Sequence, residues 1–321
     1  MIRTLRATLL STCLVAGSGA LPALAAPLIV LGDSIADAGS ARLAAGGGGV
    51  ADPADGYFLG RFTNGPNVAD YANLALNGEL TLSYLVGGDN FAFGGAAIVT
   101  DINQGTGGLP STIPDLTDQI DTVLSRGPID AEADVLVNFV GNDFLAASSG
   151  SVDPDLVATQ AIASMAQQLM RLVEGGATNV AVSNVAASGF NLLGATKTAA
   201  AVERYNDALS DLLVELSATT STRFALVDRD SVFDRILGDP LTYGFDPSLF
   251  GTPCIAVPSA APACDGYLFF DTVHETTQAM ELVSLEAITA LQPVPLPGAI
   301  ALFATGLGGV IAARRAQKAE Q

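Results

Sequence analysis

The chain has a single histidine, His274, in the stretch Phe270-Asp271-Thr272-Val273-His274. A serine hydroxyl is a weak nucleophile at neutral pH and needs an adjacent base. If this chain runs Ser-His acyl chemistry, the identity of that base is already fixed. Asp271 stands three residues earlier. Within a tight turn or one helical turn, its carboxylate can reach the ring of the same histidine. There it would fix the tautomer and stabilise the imidazolium. Taken alone, an Asp-x-x-His string matches freely. It equally describes a surface histidine beside an unrelated aspartate.

The candidate serine lies far away. The apolar run Leu28-Ile29-Val30-Leu31 reads as a buried strand. It leads directly into Gly32-Asp33-Ser34-Ile35-Ala36-Asp37. Farther on come Asn90-Phe91-Ala92-Phe93-Gly94-Gly95-Ala96 and Val140-Gly141-Asn142-Asp143. In these blocks, taken with the Asp-x-x-His, the sequence resembles the GDSL branch of the SGNH hydrolases, and the blocks occur in that family's order. Arg61-Phe62-Thr63-Asn64-Gly65-Pro66-Asn67 and Tyr267-Leu268-Phe269-Phe270-Asp271 look like the same branch. The resemblance spans roughly residues 28–291.

That resemblance implies a secreted serine esterase or lipase cleaving carboxylic esters through an acyl-enzyme. Ser34 would be the nucleophile, His274 the general base and Asp271 its orienting partner. The oxyanion would be held by the backbone N–H groups of Ser34 and Gly95 and by the side-chain amide of Asn142. Gly95 rather than Gly94 aligns with the family glycine. No cofactor or metal is implied. Phospholipase or acyltransferase activity belongs to the same family. A non-catalytic surface or matrix binding protein on the same fold is the rival of another class, with Ser34 serving as a helix N-cap and Asn142 as a turn residue. Asp37 belongs to the opening block and reads as a loop or cap residue. One departure stands out: Glu275 occupies the position where the family usually has proline. An anion beside the base predicts a raised His274 pKa.

Competing chemistries fail on spacing. There is no Gly-x-Ser-x-Gly elbow. His274-Glu275-Thr276-Thr277-Gln278 misses the zinc-protease pattern at its fifth position. The glycine runs at 46–49 and 105–108 read as flexible loops and lack the Gly-Lys-Ser/Thr of a phosphate cradle.

Several elements must carry these residues. Strand-like runs fall at 28–31, 90–93, 135–140, 180–183 and 224–227. Helical periodicity falls at 115–125, 154–174, 198–219 and 276–291. Alternating strands and helices predict a parallel sheet covered on both faces. The expectation is a three-layer α/β/α, flavodoxin-like sandwich with right-handed crossovers. In such sheets the working groups gather at the carboxyl ends of the strands. Ser34, Gly95 and Asn142 each follow a strand-like run.

Composition bounds the setting. The chain has 321 residues, enough for one large domain, and a formal net charge of −19. Residues 26–313 hold nine of the 14 basic and 32 of the 33 acidic residues, so the body is more acidic still. Such a surface argues against nucleic acid, whose affinity rests largely on Lys and Arg. Residues 1–25 read as a secretory signal: Arg3 and Arg6, an apolar stretch, then Ala23-Leu24-Ala25 as a cleavage site for signal peptidase. Cys13 would leave with it. Cys254 and Cys264 remain and most simply form a disulfide in an oxidising compartment. Two cysteines and one histidine cannot furnish an ordinary Cys/His zinc site. Residues 293–321 pair Val294-Pro295-Leu296-Pro297 with an apolar stretch and Arg314-Arg315. This resembles a PEP-CTERM sorting tail of the VPLPA type, handled by an exosortase-like enzyme; a plain membrane anchor is the alternative. The domain reading is therefore signal peptide 1–25, hydrolase domain 26–292 and tail 293–321, in a protein exported by a bacterium.

Overall fold

A computed structural model describes residues 26–99, 112–150 and 152–292. The expected signal peptide, the glycine run at 105–108 and the expected sorting tail lie outside those residues. Four parallel strands, β1 (Leu28–Gly32), β2 (Asp134–Asn138), β3 (Asn179–Ser183) and β4 (Arg223–Val227), lie side by side in sequence order. Residues 89–93 run along the free edge of β1: Val30 N–H donates to the Asp89 carbonyl (3.0 Å) and Phe91 N–H to the Val30 carbonyl (2.7 Å). The expected strand at 90–93 is thus a short edge pairing, with a single parallel bridge from Val30 to Asn90. Asn90 spends its side chain on the Ala36 carbonyl and Thr81, and the segment leaves the ladder at the Gly94-Gly95 turn. Counting this edge, the order reverses between β1 and β2, which opens a crevice at their carboxyl ends.

The helices in chain order are α1 (Ser40–Ala44), α2 (Val68–Asn77), α3 (Leu116–Ser125), α4 (Asn142–Ser148), α5 (Pro154–Glu174), α6 (Ala187–Leu192), α7 (Thr196–Thr219), α8 (Arg229–Gly238) and α9 (Thr277–Leu291). Period-two alternation sends neighbouring strand residues to opposite faces. Val135, Val137, Val180 and Val182 face a core built with α3, α5 and α7, through residues such as Ile120, Leu169 and Leu209. Val30, Leu136 and Ala181 face a second core built with α2, α8 and α9, through Val68, Phe233 and Met280. The molecule is therefore a three-layer α/β/α sandwich, as expected. Asp153 caps α5 through the Asp155 N–H, with Pro154 at the first helical position.

Three carboxylates hold the strand ends to their neighbours. Asp37 accepts the N–H groups of Gly39, Ser40 and Ala41, and that of Gly94 at 2.8 Å. It is a loop residue whose carboxylate holds the backbone at the start of α1, and it also ties the Gly94-Gly95 turn to the first block. Asp33 accepts from Ile35 and Val140, and Asp143 from Ile98 and Val99. All three are buried. Loss of solvent outweighs these hydrogen bonds and raises each pKa from 3.8 to about 6. Between those values the folded chain binds more protons than the unfolded one, so stability falls as pH rises. The melting temperature is expected to be higher at about pH 5 than at about pH 7. Calorimetry at constant ionic strength checks the sign, and a higher value at the upper pH would contradict it.

Candidate active site

β1 is buried and ends at Gly32, where a Cβ would stand 2.7 Å from the Asn138 carbonyl oxygen. The chain can therefore turn sharply beside β2. Ser34 follows in that turn and is almost fully buried. It caps no helix: α1 starts six residues later, with Gly39 at its N-cap. Its Oγ lies 2.9 Å from His274 Nε2.

His274 is delivered by a tight loop. Phe269 bridges Glu275 in antiparallel fashion, and Phe270 N–H donates to the His274 carbonyl at 2.8 Å. Asp271 sits at the tip. Its Oδ1 accepts the N–H groups of Val273 and His274, both at 2.8 Å, and its Oδ2 lies 2.8 Å from His274 Nδ1. The three-residue spacing is thus realised as a turn whose backbone holds one carboxylate oxygen while the ring meets the other. Tyr57 donates its hydroxyl to Asp271 Oδ2 at 3.0 Å. The Phe62 ring lies against the imidazole with centroids 4.9 Å apart. Phe62 itself fits because Gly94 has no side chain; a Cβ there would come within 2.4 Å of the Phe62 ring. The segment 61–67 braces the same loop: Thr63 donates to the Glu275 carbonyl, and Asn64 Oδ1 accepts the Thr277 N–H.

Asp271 is held below the ordinary carboxylate range: burial opposes this, but the His274 charge and hydrogen bonds outweigh it. His274 is raised above 6.5. Burial pulls it down, and the hydrogen bond and charge of Asp271 more than compensate, with smaller contributions from Glu275 and Asp33. The direction matches the expectation drawn from Glu275, but Asp271 is the larger raising cause. Glu275 is also not a free anion, because it pairs with Arg229. A base must be neutral to accept a proton, so activity should fall as pH drops through the raised pKa. In Glu275→Gln that acid limb is expected to move to lower pH, by less than in a variant lacking the Asp271 charge. An unmoved limb in a pH series of kcat/KM would refute the contribution.

The remaining predicted residues are placed as follows. Asn142 opens α4 and donates one amide hydrogen to the Ala96 carbonyl at 2.8 Å, leaving the second available. It lines the same cavity as Ser34 and His274. Gly95 has φ +88°, a left-handed conformation that suits glycine. It lies in the turn whose Ala96 holds Asn142, and it is not among the residues lining the cavity. Cys254 and Cys264 are disulfide-bonded with Cα atoms 5.5 Å apart. The N–H groups of Cys254 and Ile255 donate to the carbonyls of Phe269 and Phe270, so the crosslinked loop backs the segment entering Asp271. Among the described residues no cluster could hold a metal ion, and no helix is long and apolar enough to cross a membrane.

The cavity has a volume of about 320 Å³ and a largely apolar wall that includes Ile35, Val140, Leu145, Phe190, Phe233 and Phe269. Arg229 and Glu275 also line it. A hydrogen-bonded Asp-His-Ser series opening on an apolar cavity, with an amide donor beside it, can transfer an acyl group. The family model for GDSL-like lipase/acylhydrolase matches residues 28–287. The chain belongs to that family. No curated protein matches this chain. A solved structure, "Crystal Structure of TesA", is similar to it at 17% identity, covering 83% of this chain and 98% of that one, with a TM-score of 0.39.

Sequence reasoning missed Tyr57, Arg229 and the wall formed by α6. Arg229 follows β4 by two residues, so the rule that working groups gather at strand ends could have found it. Tyr57 and α6 carry no such signal. Tyr57 sits in an irregular loop, and α6 is too short to show a period.

Proposed function

We propose that this protein is an exported serine esterase that hydrolyses carboxylic esters of aliphatic acids. The observation that carries the reading is the series Asp271–His274–Ser34, with contacts of 2.8 and 2.9 Å, at an apolar cavity. Ser34 Oγ attacks the ester carbonyl as His274 Nε2 takes its proton. Asp271 keeps the other ring proton on Nδ1 and balances the imidazolium. The tetrahedral oxyanion is met by the Ser34 N–H and the second amide hydrogen of Asn142, with the Gly95 N–H as the third donor that the family resemblance implies. Collapse breaks the bond to the alcohol, which leaves with the proton from His274. Water, deprotonated by His274, then attacks the acyl-Ser34 ester and releases the acid. Aromatic and aliphatic side chains around the nucleophile favour an acyl chain over a charged group. The disulfide and the apolar, basic-flanked sequence ends support export, with signal peptidase and an exosortase-like enzyme as processing partners.

The test is hydrolysis of p-nitrophenyl esters from acetate to palmitate, together with mass spectrometry after treatment with an alkyl phosphonate ester. Turnover with a chain-length optimum and a single phosphonylation at Ser34 is expected. A folded protein that neither turns over any ester nor is labelled at Ser34 would sink the reading.

A further inference from the structure

One part of the cavity wall is not apolar. Arg229, at the start of α8, and Glu275, beside His274, are 3% and 5% exposed and paired through Arg229 Nη2 and Glu275 Oε1. The Arg229 guanidinium also lies over the Phe233 ring, 4.7 Å from its centroid. The pair does not satisfy itself. Arg229 Nε and Nη1 and Glu275 Oε2 are buried and have no hydrogen-bond partner. Buried polar atoms are almost always paired, and a charged donor left unmet is costly. A buried ion pair is at best weakly stabilising, so fold stability alone does not account for one in an apolar wall.

The chemistry of the unmet atoms defines what would complete them. Three N–H hydrogens, one on Nε and two on Nη1, and one carboxylate oxygen remain. An anion would satisfy the donors but confront Glu275, with the Asp33 carboxylate nearby on the same wall. A cation would meet Arg229. A plain methylene would satisfy neither residue. A hydroxyl suits both, because it donates one hydrogen and accepts through its lone pairs. We infer that Arg229 and Glu275 form a polar anchor in the cavity for an aliphatic hydroxyl of the ester substrate. The inference rests on the esterase reading above and narrows its substrate class to hydroxylated esters. Sites built to hydrogen-bond a substrate hydroxyl discriminate strongly against the analogue that lacks it.

The hydroxyl can belong to the acyl chain or to the alcohol, and two substrate series separate these sources. One compares p-nitrophenyl octanoate with hydroxyoctanoates bearing the hydroxyl at successive carbons. The other compares propyl octanoate with glycerol mono-octanoate. In one series the wild-type protein is expected to favour the hydroxylated ester by about tenfold or more in kcat/KM. That ratio should fall to about one or below in the double variant Arg229→Met/Glu275→Met, which removes both charges together and leaves neither buried alone. A wild-type ratio near one in both series overturns the anchor, whatever the variant does. So does a preference that survives in the folded double variant. If the double variant does not fold, the same ratio is read in Glu275→Gln, where an unchanged preference counts against the anchor. Failure of the esterase reading looks different: the plain octanoates would show no hydrolysis above Ser34→Ala, and the anchor would fall with it.

Discussion

Ser34→Ala is expected to lower kcat for ester hydrolysis on the order of a millionfold and to leave the fold intact. Members of a hydrogen-bonded triad act as one unit, and removing the nucleophile costs about as much as removing all of them. The background that remains comes from oxyanion donors and binding, which this substitution leaves in place. The Ser34 hydroxyl contacts His274 Nε2 at 2.9 Å and caps no helix, so its stability cost should be about that of one hydrogen bond, ~1 kcal/mol. KM is expected to change little, because the apolar cavity is unaltered. Steady-state kinetics with several esters, paired with a thermal melt, checks both halves. Retention of more than a hundredth of wild-type kcat would mean that Ser34 is not the nucleophile.

Asp271→Asn should cost about 10⁴-fold in kcat. The carboxylate has two separate duties. Oδ1 receives two backbone N–H groups, which an asparagine oxygen can still accept, so the turn survives. Oδ2 faces His274 Nδ1 and the Tyr57 hydroxyl. With the asparagine oxygen held by the backbone, its NH₂ faces the ring and donates. Nδ1 must then accept, the ring proton moves to Nε2, and Nε2 points a proton at Ser34 in place of a lone pair. The charge is lost as well, and with it the main cause that raises His274. The acid limb of the residual activity should therefore move to lower pH. A loss below tenfold, or a limb moving upward, would contradict this role for the carboxylate.

Much of this arrangement was legible in the sequence because it rests on local rules. The strands at 28–32, 134–138, 179–183 and 223–227 are short apolar runs, and α5 opens after a capping Asp153 and ends at a glycine pair. The Asp271–His274 spacing is local too, since a three-residue turn builds it. What was not legible depends on packing between distant segments. Tyr57 reaches Asp271 across 214 residues, from a loop with no period. The run at 90–93 looked like a full strand because three of its four residues are apolar, yet its ladder ends where Gly94 and Gly95 turn the chain. Glu275 was visible as an anion beside the base, but its partner Arg229, 46 residues earlier, was not.

The proposed nucleophile and base are separated by 240 residues, one just after the first strand and the other just before the last helix. During synthesis, then, Ser34 emerges early and stays inert, for no imidazole exists in the chain until its final portion is made. Even then the loop that carries His274 is braced by distant segments: α9 packs against α2, and Asn64 Oδ1 accepts the Thr277 N–H. A partly made chain, or one clipped before His274, carries a serine with no base to activate it. Appearance of activity during refolding therefore serves as a clock for closure of the whole sandwich, not for the formation of its sheet.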